Sequence, residues 1–108
     1  MSEMSEEIER KEMCLRTHQQ GRETLIAVCD SDILGEKFKE GHLCIEVSPD
    51  FFGDDMATCS EVEKALKSAT MANFVGCKTV EHAIRLGYVE RENVLSIEGV
   101  LYAQMVRM

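Results

Sequence analysis

His42, Cys44 and Glu46 stand two apart around the stretch Leu43 to Val47. Side chains two apart on a β-strand share a face. Imidazole and thiolate are both good zinc donors. Cys77 and His82 complete a four-ligand metal set if the fold carries them to the same place. The competing reading is a solvent-facing strand of mixed polarity, because one His-x-Cys pair specifies nothing by itself. A second constellation is Asn73, Lys78, Tyr102 and Gln104. Asn73 lies in the apolar run Ala72 to Val75, and a buried amide must find hydrogen-bond partners. Tyr102 and Gln104 fall on one face of a strand. Lys78 adds charge where a helix start can hold an anion through its free N–H groups. Together the four form a candidate polar pocket for a small ligand. The plainer account is a strand whose polar face is solvated or packed on a second subunit.

The segment Ser48-Pro49-Asp50-Phe51-Phe52-Gly53-Asp54-Asp55 places three aspartates beside glycine but lacks the calcium-loop pattern. Its two phenylalanines read as a lid on the core or, if one is exposed, as an anchor for a partner. Nucleophilic catalysis draws no support: there is no G-x-S-x-G elbow and no recognisable Cys-His signature. Four of the five cysteines, Cys14, Cys29, Cys44 and Cys59, recur every fifteenth residue. Nothing else repeats with them, and no C-x-x-C pair exists. They read as ordinary thiols packed like small hydrophobes.

These residues must be positioned by a modest set of elements. Met13 to Thr17 alternates weakly, and Gln19 to Arg22 with Gly21 reads as a hairpin turn. Thr24 to Cys29 is a continuous β-branched run, the signature of a central strand covered on both faces. Asp30 offers an N-cap for a brief helical turn that stops at Gly35. Leu43, Ile45 and Val47 predict a strand ended by Pro49, with an irregular loop over 49–55. Thr58 and Glu61 form a capping box for an amphipathic helix over 59–68. Ala72 to Val75 predicts a short strand. Thr79 then caps a second helix that stops at Gly87. Val94 to Ile97 and Val100 to Val106 form a hairpin around Glu98-Gly99. Strands and helices do not alternate strictly. The expected fold is therefore α+β: a small mixed or antiparallel sheet, about two helices on one face, and a C-terminal hairpin.

The chain of 108 residues fits one domain. Residues 1–10 read as a flexible acidic tail and 11–108 as the folded unit. Hydrophobic residues make up 44% and aromatics 6%, without Trp, so the core is aliphatic. No apolar run approaches the ~20 residues of a membrane span, and no signal peptide is evident. A cytoplasmic, reducing location is expected for the thiols. Twenty acidic against twelve basic side chains give a formal net charge of -8. Non-specific nucleic-acid binding draws its free energy from neutralised phosphates, so it is not expected here. Acidity fits either a salt-rich interior or a basic partner.

Several segments resemble one archaeal family. Leu25-Ile26-Ala27-Val28-Cys29-Asp30, Ile33-Leu34-Gly35-Glu36-Lys37-Phe38 and Glu40-Gly41 open the pattern. Ala72-Asn73-Phe74-Val75-Gly76, Ala83-Ile84, Gly87-Tyr88-Val89, Gly99-Val100 and Ala103-Gln104 continue it in order. The family is the domain of unknown function 424. The resemblance implies an archaeal cytoplasmic protein and supplies no reaction, cofactor or catalytic residue. One departure stands out: Leu101-Tyr102 occupies a place where the resemblance implies Pro-His. Tyr102 cannot serve as a base near neutral pH as a histidine would.

The first functional expectation is a non-catalytic binding or adaptor domain with a protein or ribonucleoprotein partner, linked to archaeal translation or RNA-related processes. Homodimerisation through a sheet edge is a further expectation. The alternatives are a small-ligand enzyme or sensor with its pocket near Asn73 and Gln104, and a metal-binding protein.

Overall fold

The computed structural model describes residues 10–107. All but the last residue of the expected acidic tail lies outside the described residues. The central element is β2 (Glu23–Asp30), hydrogen-bonded to β1 (Met13–Gln20) across the Gly21 turn. On its other side β2 pairs in parallel with β6 (Met71–Val75). The remaining strands are β3 (Lys37–Glu40), β4 (Leu43–Glu46), β5 (Met56–Ala57), β7 (Leu95–Ile97) and β8 (Val100–Val106). Six of the eight strands among the described residues form a mixed sheet in the order β5-β1-β2-β6-β8-β7, and β3 and β4 form a separate two-stranded ribbon. The expected α+β class, mixed sheet and C-terminal hairpin are all present. Glu98 (φ 52) and Gly99 (φ 82) both adopt left-handed backbone, which a two-residue hairpin turn of matching twist requires.

Burial divides β2 by parity. Ile26 and Val28 point to one side, where Phe74, Ala72, Ala103 and Met105 join them. Helices α2 (Cys59–Leu66) and α3 (Cys77–Arg85) cover that side with Val62, Leu66, Val80 and Ala83. The capping box at Thr58 and Glu61 forms as the spacing predicts, with both reciprocal bonds present. Ala27 and Cys29 point to the opposite side, beside Cys14 and Val75. Val47, Phe52 and the half-buried Phe38 and Ile45 pack there. The continuous apolar run of β2 is thus explained by cover on both faces.

Four local expectations are corrected. Segment 49–55 is not wholly irregular: Ser48 accepts from Asp50 N and starts α1 (Pro49–Phe52), with Pro49 in its first turn. Strand β3 was not signalled, because Lys37-Phe38-Lys39-Glu40 carries one apolar residue and only its pairing with β4 makes it extended. Asp30 precedes a 3-10 turn, Ser31–Ile33, but its side chain makes no cap there. Thr79 does not begin its helix either: α3 starts at Cys77 after Gly76. The two errors share one cause. The Asp30 carboxylate reaches across to α3 and accepts from Thr79 N at 2.8 Å, Lys78 N at 3.1 Å and the Thr79 hydroxyl at 2.8 Å. The cap is supplied from 48 or more residues away, which no local pattern shows.

Candidate docking surface

The face of the sheet opposite α2 and α3 is ordered in rows set by strand register. The first row crosses four strands as His18, Leu25, Met71 and Val106. The second is Arg16, Ala27, Asn73 and Gln104. The third is Cys14, Cys29, Val75, Tyr102 and Leu95. Register places the members of a row side by side, so their chemistry is read together.

The cover over this face is incomplete. Helix α1 lies on the β1 side: His18 stacks on Phe51 at 5.0 Å, and its Nε2 lies 2.7 Å from the Phe51 carbonyl oxygen. Arg16 donates to the Asp50 carbonyl oxygen at 3.1 Å. The β3-β4 ribbon lies over the β7-β8 end, tied by Lys39 N donating to Glu98 and Glu98 N donating to Glu40. The third row is therefore sealed at Cys14, Cys29 and Val75. In the first row Met71 is 36% exposed and Val106 63% exposed, with Leu25 half-buried between its neighbours. Between the rows, Gln104 Nε2 donates to Asn73 Oδ1 at 2.9 Å. That bond leaves the Asn73 NH2 and the Gln104 oxygen with capacity to spare. The result is an apolar strip beside an amide pair, bare of cover.

The edge beside this strip is also open. Strand β7 pairs only with Val100 to Tyr102. Residues 103–106 of β8 have β6 on one side and no strand on the other among the described residues. An exposed strand edge offers backbone donors and acceptors to another chain.

Of the four residues proposed for a ligand pocket, Asn73 and Gln104 touch, and Tyr102 lies one row away on the same face. Tyr102 is half-buried against the core under the ribbon, and burial raises its phenol above the ordinary value. Lys78 lies apart, in the first turn of α3, with its ammonium 3.9 Å from Glu12. The anion site imagined at that helix start is filled by the protein itself, because Asp30 accepts from two first-turn N–H groups, those of Lys78 and Thr79. The four residues with metal-ligand chemistry are dispersed. His42 is in the turn before β4 rather than on the strand, Cys44 is exposed on β4, and Cys77 is exposed at the start of α3. His82 is buried with Nε2 3.3 Å from the Cys59 carbonyl oxygen. Among the described residues no three His, Cys, Asp or Glu side chains are gathered to hold an ion.

Sequence reasoning missed Leu25, Met71 and Val106. Period-two spacing does place Gln104 and Val106 together. What ties them to Met71 and Leu25 is the parallel β2-β6 pairing, which is not a local property.

The family profile described as Protein of unknown function (DUF424) matches residues 17–108. The chain belongs to this family. Among solved structures the chain is similar to an uncharacterized conserved protein from Methanopyrus kandleri, an archaeon, at 19% identity and a TM-score of 0.73. The match covers 89% of this chain and 93% of that one. It shows a shared fold. None of the curated proteins matches this DUF424 chain.

Proposed function

We propose that this DUF424 protein is a non-catalytic binding module of the cytoplasm whose partner is a protein, free or as part of a ribonucleoprotein particle. The observation that carries the reading is the uncovered strip of Leu25, Met71 and Val106, adjoining the Asn73–Gln104 pair and the open edge of β8. Apolar side chains next to an open edge suit an extended segment that adds to the sheet and seats alternate side chains on the strip. The net charge of -8 disfavours direct contact with phosphates and favours a basic protein surface. The proposed link to translation rests on the family's archaeal setting and not on this geometry. No helix among the described residues is long and apolar enough to cross a membrane.

Density-gradient sedimentation of the tagged protein in native host lysate, with and without ribonuclease, tests the proposal. The expected result is co-migration with a larger particle that Val106→Glu abolishes. Migration of the unaltered protein at the size of the free chain would overturn it. Self-association through the same edge would instead give a species of twice the chain mass in purified protein.

A further inference from the structure

The opposite end of the sheet carries a second open edge. Strand β5 pairs with β1 only at Met13 and Cys14. One further bond follows, Leu15 N donating to the Asp55 carbonyl oxygen at 3.1 Å. In an antiparallel pair each residue turns its N–H and C=O to the same side, and that side alternates along the strand. Leu15 points away from β2, so Thr17 and Gln19 do as well. Their backbone groups face outward, with no strand beside them among the described residues. Both residues are exposed. Natural edges are often blunted by charged side chains. Across residues 16–20 the one formally charged side chain is Arg16, and its guanidinium is turned to the Asp50 carbonyl oxygen.

A cleft of about 450 Å³ opens where β5 stops, lined by Leu15, Thr17, Asp55, Met56, Ala57 and Glu61. The pairs Met13–Ala57 and Cys14–Met56, extended by one, place Asp55 opposite Leu15. A strand added in the same line would put a residue opposite Thr17, on the same face as Asp55 and beside it. Glu61 lies in the first turn of α2, and its Oε1 accepts from Thr58 N at 2.9 Å. That single bond leaves its carboxylate with acceptor capacity. We infer that the Thr17–Gln19 edge of β1 docks an extended segment of a partner protein. The segment runs antiparallel to β1, and its Lys or Arg opposite Thr17 enters the cleft toward Asp55 and Glu61.

The cleft is built for a long cation. Leu15, Met56 and Ala57 offer an apolar wall to its stem, and the two carboxylates accept from its head. The net charge of -8 adds attraction at longer range. A second copy of the chain does not meet this demand. The outward-facing residues of β1 are Leu15, Thr17 and Gln19, none of them basic. Pairing two such edges would leave both clefts without a cation and bring together two chains of net charge -8. The edge is also separate from the strip, since β2 and β6 stand between β1 and β8. The inference therefore does not rest on the strip.

The test uses the full chain carrying Val106→Glu, so that the strip does not contribute. A phage-displayed library of random octapeptides is selected on it, and the most enriched peptide is synthesised. Enrichment of a Lys or Arg flanked by alternating β-branched residues is expected. That peptide should slow amide hydrogen exchange at Thr17 and Gln19. Its Kd should rise at least roughly tenfold when Asp55→Asn and Glu61→Gln are combined, the loss of one hydrogen bond to a charged group. A glutamine in that place keeps the capping box, and an unchanged melting profile checks the fold. Failure to enrich any peptide, a consensus without a basic residue, protection on other strands, or affinity indifferent to the double variant would overturn the assignment. A dimer of the free chain with the same two amides protected would overturn it too, by showing a second copy as the occupant.

Discussion

The carboxylate of Asp30, at the end of β2, takes both the backbone N–H and the hydroxyl of Thr79 in α3 at 2.8 Å. Both residues are buried, Asp30 at 6% exposure and Thr79 at 1%. Charge-assisted bonds to a helix start combine capping with the favourable interaction of a negative charge and the helix dipole. This contact joins the last residue of the central strand to the helix that covers the sheet. Asp30→Ala should therefore destabilise the protein by about 2–3 kcal/mol, beyond an ordinary cap, because three donors lose their acceptor. Denaturant unfolding should show a lower midpoint at unchanged slope. A midpoint shift no greater than that of a surface substitution would refute this account.

Gly76 is the residue that lets Asp30 in. Its φ is +112°, outside the range of ordinary L residues, and a Cβ there would lie 2.6 Å from both Asp30 carboxylate oxygens. Gly76→Ala should thus cost more than the ~1 kcal/mol of backbone strain alone. Part of that cost comes from expelling the carboxylate. The double variant with Asp30→Ala should be less destabilised than the sum of the two singles, since the clash partner is gone. A double-mutant cycle reads this directly. Strict additivity would show that Gly76 and Asp30 do not compete for space.

Much of the fold was legible, and what was not has a physical reason. The capping box at Thr58, the covered strand around Ala27 and Val28, and the Glu98-Gly99 hairpin each carry their signal within a few residues. Strand β3 and the Asp30 cap depend on partners distant in sequence. So does the docking strip. Its rows exist because β2 and β6 run parallel in one register, and neither strand alone names its neighbour. Asn73 and Gln104 could be singled out as polar residues among apolar ones. Their contact with each other, and the separation of Lys78 from both, needed the topology.

The strip and the core on the other side of the same strand should respond oppositely. Met71 and Phe74 are both on β6, but Met71 is 36% exposed and Phe74 1% exposed. Phe74→Ala should cost about 3–5 kcal/mol, the range for deleting a buried ring. Met71→Asp should leave stability within about 0.5 kcal/mol, as for surface changes, while removing co-migration with the partner. Paired thermal melts and sedimentation separate the two effects. Loss of partner binding in step with loss of stability, in both variants alike, would contradict a dedicated surface.

The buried thiols set the alkaline limit of stability. Burial is the main cause that pushes the Cys29 thiol from its ordinary 9.0 up to about 12, with Cys14 raised for the same reason. A raised thiol pKa means the folded state holds its protons where the unfolded chain has begun to release them. The stability difference is then intact below pH 9 and falls as pH rises from there toward 12. Denaturant midpoints measured across that window should decline, and the decline should flatten in Cys29→Ala. The same burial predicts reactivity. Cys44, Cys59 and Cys77 are exposed and Cys14 and Cys29 are buried. A thiol-specific chromogenic disulfide should therefore titrate three groups in the native protein and five after unfolding. Rapid native modification of all five would mean that the sheet face over Cys14 and Cys29 opens readily, and the alkaline dependence would then be lost as well.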